Sequence, residues 1–422
     1  MTSYTTVTTR TTPPIFNLKV SPTTPPPSPS LPRTDLVPLT NFATPGTPAS
    51  RRRRAFALQD GAGRLGFERV SFCGRKAIGP DRPVAVTLEV GPSGKRAWLT
   101  GTRTCGSART CAYCGARTAH HRALELEAAI RGHHQAGGRV LLVTATTPHD
   151  RGMDLVWQVD RFLTATRAFK SGKGYSTLAA KIGFVGEVRG LECTFGRAGF
   201  HVHSHSLLFV APDVDVLALE STLKPRWARK VYEAGLGRVD DDHGFRAALI
   251  GTEDQDVRRA AGYLTPTWTA SDEVVRSDLK TGHGGRTPEE LLADYTFDGD
   301  LEAGARFAQY AVAFRGRALL RWSSGLRARL LPEVTELSDD ALSEVEPPPE
   351  PGAVRVVLGE LDHFDFGLLR RFGRAGLARF LEAVEEGGLE EGWDAGQRVL
   401  WAFLKVLEPP RVGSPGEAPQ AS

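Results

Sequence analysis

Residues 139–147 (RVLLVTATT) form an apolar run suited to a buried strand, and alternating apolar positions mark further strands at 67–73 and 84–99. Within the latter, PSGK at 92–95 reads as a turn. Apolar residues at helical spacing predict helices over 117–136, 153–169, 215–235, 254–265, 287–294 and 302–320, the first stopped by Gly137-Gly138 and the fourth by Pro266. Two more strands, 182–195 and 200–210, flank Gly196-Arg197-Ala198-Gly199, a hairpin signal, and 245–251 supplies another. The order strand, helix, hairpin, helix, strand, helix predicts an α/β (α+β) fold whose central sheet is largely antiparallel and flanked by helices.

Composition divides the 422-residue chain. Residues 1–58 are rich in Thr, Pro, Ser and Arg, with Asp35 as their lone acid, and read as a disordered basic tail rather than a transit peptide. The block Arg51–Arg54 is either solvated charge or a phosphate-holding arm. Residues 65–135 carry leading strands and a cysteine cluster, 136–330 the core, 331–352 an acidic Pro-rich linker, 353–408 a small accessory module, and 409–422 a second tail. A net charge of +4 with 41% hydrophobic residues is ordinary for a globular protein, so charge alone names no partner. No apolar run is long enough to cross a membrane, and a cytoplasmic location is expected.

The densest chemical signal is Gly199-Phe200-His201-Val202-His203-Ser204-His205. On a strand, His201, His203 and His205 share one face. If Phe195 opposes Phe200 across the hairpin, Glu192 lies opposite His203, with Cβ atoms about 5 Å apart. Imidazoles and a carboxylate facing one way, with positions left open, suit a divalent cation that polarises a phosphate; Mg²⁺ or Mn²⁺ is expected, and Zn²⁺ is chemically acceptable. Among seven tyrosines, Tyr263 is distinctive. It ends the helix 254–265, one turn after Arg259 and beside the stripe Val257, Ala260, Ala261 and Leu264. A phenol there is a candidate nucleophile, and Arg259 a candidate phosphate contact.

Five cysteines in so long a chain make no disulfide framework. Cys105, Cys111 and Cys114, with Cys73 as fourth ligand, have the spacing of a structural zinc site; His120 and His121 are rival fourth ligands. Cys193 points away from Glu192, as a packing residue would.

These segments resemble the plasmid rolling-circle replication initiators of the HUH endonuclease superfamily. The strand HVHSHSLLFV is similar to their His-hydrophobic-His motif. Cys105-Gly106-Ser107 with Cys111-Ala112-Tyr113-Cys114 resembles CGS…CPxC, Leu191-Glu192 with Gly199-Phe200-His201 resembles LE…GWHPHxH, and Ala261–Thr265 resembles AKYLTK. Arg286-Thr287-Pro288 with Leu291-Leu292, then Phe314–Arg317 with Trp322–Arg327, continue in the family's order, so the resemblance covers about residues 70–345. It implies an HUH nuclease domain that nicks one strand of a double-strand origin, stays on the 5′-phosphate through Tyr263, and leaves a 3′-OH primer. It assigns His203 and His205 as metal ligands, Glu192 as a third, and His201 as an extra ligand or substrate-orienting residue. It also implies origin DNA, a host helicase and a polymerase as partners. Two positions depart from the pattern: Pro266 stands where the family has a phosphate-positioning Lys, and Arg259 where some members have a water-activating Glu. A related HUH relaxase or transposase, and a zinc-dependent DNA-binding regulator without nuclease activity, remain as alternatives.

Overall fold

The structure is a computed structural model, and it describes residues 47–79, 82–265 and 285–407. The tail segments 1–46 and 408–422, and Pro266, lie outside the described residues.

Five antiparallel strands build the main sheet: β3 (Arg139–Thr146), β4 (Gly186–Gly196), β5 (Gly199–Val210), β6 (Phe245–Leu249) and β7 (Leu320–Trp322), in the order β6-β3-β5-β4-β7. A three-stranded antiparallel sheet, order β2-β1-β8, joins β1 (Val84–Gly91), β2 (Gly94–Thr100) and β8 (Val354–Leu361). The expected α/β class with antiparallel sheets flanked by helices is therefore observed.

Alternation along the main sheet assigns each face its own core. Leu141, Val143, Leu191, Cys193, Val202 and Leu208 pack with α4 (Leu155–Phe169) and α6 (Val216–Glu233). Val140, Val188, Leu207 and Phe209 pack instead with α3 (Ala112–Gln135) and α7 (Asp254–Leu264), through Leu126, Ile130, Val257, Ala261 and Leu264. Burying a residue such as Phe162, Phe209 or Phe245 stabilises the fold by about 1.5–3 kcal/mol each, so two full faces suffice to fix the strand register.

Several segments differ from the sequence reading, each because of a long-range contact. Residues 48–58 are not a tail: Pro48–Arg64 is a helix, α1, capped by the Thr47 side chain. Arg52 and Arg53 pair with Glu385 and Glu382, and Arg54 with Glu289 at 3.3 Å, so three of the four arginines are held by carboxylates. Residues 67–73, expected as a strand, contain a helical turn, α2 (Glu68–Ser71). The acidic stretch 331–352 is packed rather than free. Its short helix Asp339–Glu344 buries Leu342, Asp339 pairs with Arg122 at 2.9 Å, and Glu346 accepts from Trp98 Nε1 at 3.2 Å. The segment 353–408 is no separate module, since β8 completes the sheet begun by β1 and the helix Gly373–Leu407, broken at Gly388, packs on α1. The helix expected over 302–320 ends at Ala313, which frees Leu320–Trp322 to become β7. A helix over Lys173–Lys181, which the apolar pattern did not reveal, precedes β4.

Arg374 adds a further tie between the C-terminal helix and the segment 60–73. Its side chain is fully buried and donates to Asp60 at 2.8 Å and to the carbonyls of Val70, Ser71 and Cys73 at 3.2, 2.9 and 3.2 Å. Truncation orphans those acceptors and leaves a cavity. Arg374→Ala is expected to destabilise the protein by about 3 kcal/mol, read as a lower urea midpoint at unchanged m. A midpoint within error of the parent would show that the tie carries little energy.

Candidate metal centre and tyrosine site

The site lies where the α3/α7 face of the sheet turns polar. Along β5 that face runs Phe209, Leu207, His205, His203, His201, so the apolar half sits under α3 and α7 and the imidazole half emerges beside them. The β4–β5 ladder pairs Phe195 with Phe200 and Glu192 with His203, as the hairpin arithmetic required. Glu192, His203 and His205 bring their ligating atoms within 4.8 Å of one another. Glu192 Oε2 stands 3.4 Å from His203 Nε2 and 3.9 Å from His205 Nε2.

Both rings are oriented by bonds at their other nitrogens. His203 Nδ1 meets the His201 carbonyl at 3.2 Å, and His205 Nδ1 meets Thr144 Oγ1 at 3.0 Å. With Nδ1 engaged, each Nε2 is left to point at the carboxylate, which is how metal-binding histidines are usually held. A cation about 2.1 Å from each donor wants donors roughly 3 Å apart, close to the spacing present, so the set fits a small divalent ion. Thr144 comes from β3, opposite His205. Nothing local in the sequence flags it, because the β3–β5 pairing is needed first.

His201 does not join this group. Its ring stacks between those of His203, 4.8 Å away, and His149, 4.7 Å away. Burial, reinforced by the neighbouring His203, His149 and His205, pulls its pKa down to about 3, so it is a neutral imidazole at physiological pH. His149, in the loop after β3, is a further member of the row that the sequence pattern did not disclose.

Tyr263 reaches the same place from α7. That helix buries Val257, Ala260, Ala261 and Leu264 against the sheet, which leaves Tyr263 half-buried at its edge. The last turn comes close to β4 at Gly190, where an added Cβ would lie 3.3 Å from the Leu264 carbonyl. Gly190 pairs with His205, so this close approach sets the phenol against the imidazole row. The Tyr263 and His205 ring centroids are 4.3 Å apart, edge to face. Burial, and after it the charge of Glu192, pushes the phenol pKa up to about 12. Arg259, one turn earlier, is exposed.

A second group lies deeper. Cys73, Cys105, Cys111 and Cys114 are all buried, form no disulfide, and place their sulfurs within 4.8 Å of one another. Cys73 Sγ and Cys105 Sγ stand 3.5 and 3.6 Å from Cys114 Sγ. Four sulfurs about 2.3 Å from a tetrahedral ion are roughly 3.8 Å apart, so the cage fits a structural zinc-type ion. Cys111 caps α3 and Cys114 sits in its first turn, where the helix dipole favours thiolates. Gln59 Nε2 donates to Cys111 Sγ at 3.1 Å. Of the rival ligands, His120 is exposed and His121 bonds the Val345 carbonyl at 3.2 Å, so neither joins the cage. Cys193 is buried on the α4/α6 face, and burial pushes its thiol pKa up.

One residue links the two groups. Arg109, between Cys105 and Cys111, donates to the Leu191 carbonyl at 3.2 Å and to the carbonyls of Arg317 and Ala318 at 3.0 and 2.7 Å. The cysteine loop thus grips the backbone next to Glu192.

Among known proteins, the chain is similar to one named Protein rep from Streptomyces lividans, with 29% identity over 298 residues, covering 55% of this chain and 64% of that protein. The match therefore spans less than two thirds of the relative's length. No protein-family model matches the chain, and no solved structure matches it. No helix among the described residues is long and apolar enough to cross a membrane.

Proposed function

We propose that the chain is a replication initiator of the rolling-circle HUH type, which nicks one strand of a double-strand origin through Tyr263. The single observation that carries this reading is the placement of the Tyr263 ring 4.3 Å from His205, itself within the Glu192–His203–His205 group. The relative named Protein rep supports a replication role. On this reading the Tyr263 oxygen attacks the scissile phosphorus, the P–O3′ bond breaks, the phenol proton is lost, and the released 3′-oxygen takes up a proton. The products are a 5′-phosphotyrosine link and a 3′-OH primer, which a host polymerase extends behind a host helicase. A Mg²⁺ or Mn²⁺ ion held by Glu192, His203 and His205 supplies charge neutralisation at the phosphate. His201 and His149 border the strand rather than ligate. Arg259, exposed beside Tyr263, contacts phosphate, and a cation there gives no base for hydrolysis of the tyrosyl link. Zinc held by Cys73, Cys105, Cys111 and Cys114 is structural, stiffening the loop that carries Arg109.

The test is nicking of a supercoiled plasmid that carries the element's origin, in Mn²⁺. A nicked circle with protein on its 5′ end is expected, and both Tyr263→Phe and His203→Ala should lower the rate by at least about 1,000-fold. Nicking that survives in Tyr263→Phe would sink the proposal, and origin binding without nicking in the parent protein would favour the regulator alternative. Glu192→Gln should raise the Mn²⁺ concentration for half-maximal nicking by roughly 10- to 100-fold. For the cysteine cage, metal analysis should find about one zinc per chain, and Cys111→Ser should lose it together with a cooperative thermal transition at the parent's temperature. A metal-free parent with unchanged stability would contradict the structural zinc.

A further inference from the structure

The row of rings does not end at the metal group. From Tyr263 it runs through His205, His203, His201 and His149 with centroid separations of 4.3, 5.1, 4.8 and 4.7 Å. His149 is followed directly by Asp150-Arg151-Gly152, a turn closed by Asp150 Oδ1 on the Gly152 amide at 2.7 Å. That turn lies against the tip of the β4–β5 hairpin. Gly199 has φ of +99°, and an added Cβ would sit 2.8 Å from the Asp150 carbonyl oxygen and 3.0 Å from Arg151 Cα. Only glycine permits this approach.

Between turn and tip opens a notch of about 180 Å³, lined by Arg151, Phe195, Gly196, Arg197 and Arg286. Arg286 is neutralised by Asp294 at 2.9 Å and Asp300 at 3.2 Å, and its backbone pairs with Phe195. Arg151 and Arg197 differ: both are exposed, and neither has a carboxylate partner among the described residues. Two guanidiniums that line one notch and have no carboxylate partner among the described residues, at the end of a row of rings, are complementary to an anion continuous with whatever lies along that row. The notch is smaller than the 300–1,000 Å³ or so of ordinary small-molecule sites, so it admits a phosphate and its sugar rather than a free nucleotide. At about 3.3 Å per residue, Arg197 lies roughly 16 Å along the hairpin from the Glu192–His203 pair. A few nucleotides of extended strand span that length.

We propose that Arg151 and Arg197 hold a backbone phosphate of the single DNA strand that runs from the scissile phosphate past His203, His201 and His149. The direction of the strand rests on the nicking reading; the anion site itself does not. These arginines are positioning residues, remote from the reacting atoms, and they carry no base specificity.

The test is binding of a short fluorescein-labelled single-stranded oligonucleotide, followed by anisotropy across a salt series without added divalent cation, so that cleavage plays no part. For Arg151→Ala/Arg197→Ala the affinity at low salt should fall about tenfold. The slope of log K against log salt should shrink by about 0.7, the value for one lost phosphate contact on a single strand. Arg151→Lys/Arg197→Lys should restore most of the slope, because a point charge still neutralises phosphate. Arg229→Ala/Arg398→Ala, which removes two exposed arginines from other helices, should leave affinity and slope near the parent values. An unchanged slope in the double alanine variant, or an equal loss in the control, would overturn the proposal. Loss of nicking in Tyr263→Phe, measured separately, decides the nuclease reading whatever these titrations show.

Discussion

Everything at the site depends on the register of one β-hairpin. Because side chains alternate along a strand, pairing Phe195 with Phe200 both sets Glu192 opposite His203 and turns the imidazoles toward α3 and α7. A slip of one residue would send the histidines into the apolar layer of α4 and α6, and would turn Val202 toward the polar end of the α3/α7 face. The register is defended from both sides: Val202 and Leu208 are buried on one face, Leu207 and Phe209 on the other. The cost of misplacing those four side chains, about 1.5–3 kcal/mol each, greatly exceeds any preference of the polar residues themselves.

The cysteine cage acts on that same hairpin. Its sulfurs organise the start of α3 and the loop that carries Arg109, and Arg109 in turn satisfies the carbonyl of Leu191, the residue before Glu192. Arg374 binds the Cys73 carbonyl from the far end of the chain. A mechanical path therefore runs from the C-terminal helix through the cage to the strand that bears the carboxylate. This path explains why 353–408 is not an appendage. It closes the three-stranded sheet and braces the cysteine-bearing loop from behind.

Local signals made part of this legible. The alternation of HVHSHSLLFV and the Gly-rich turn were enough to place Glu192 against His203, since a tight hairpin leaves little freedom of register. The apolar stripe of 254–265 was enough to put Tyr263 at a helix edge. Thr144 and His149 were hidden because their roles arise only after β3 pairs with β5. The extremities misled for a related reason. Arginines and acids far apart in sequence look like solvated runs until a fold sets Arg52 and Arg53 against Glu385 and Glu382, or Arg122 against Asp339. Composition reports charge, and tertiary structure decides whether the charge is paired.

The polarity of β5 also separates stability from chemistry along a single strand. Its second half, Leu207 to Val210, is wholly buried. Its first half replaces apolar packing with rings that stack on one another and bond through Nδ1, a weaker and more adaptable arrangement. Burial disfavours the charged form of an imidazole, which is what the depressed pKa of His201 reflects. The strand is thus graded from apolar core to a row of polar rings, and Gly190, by letting α7 settle close, places Tyr263 where the two regimes meet.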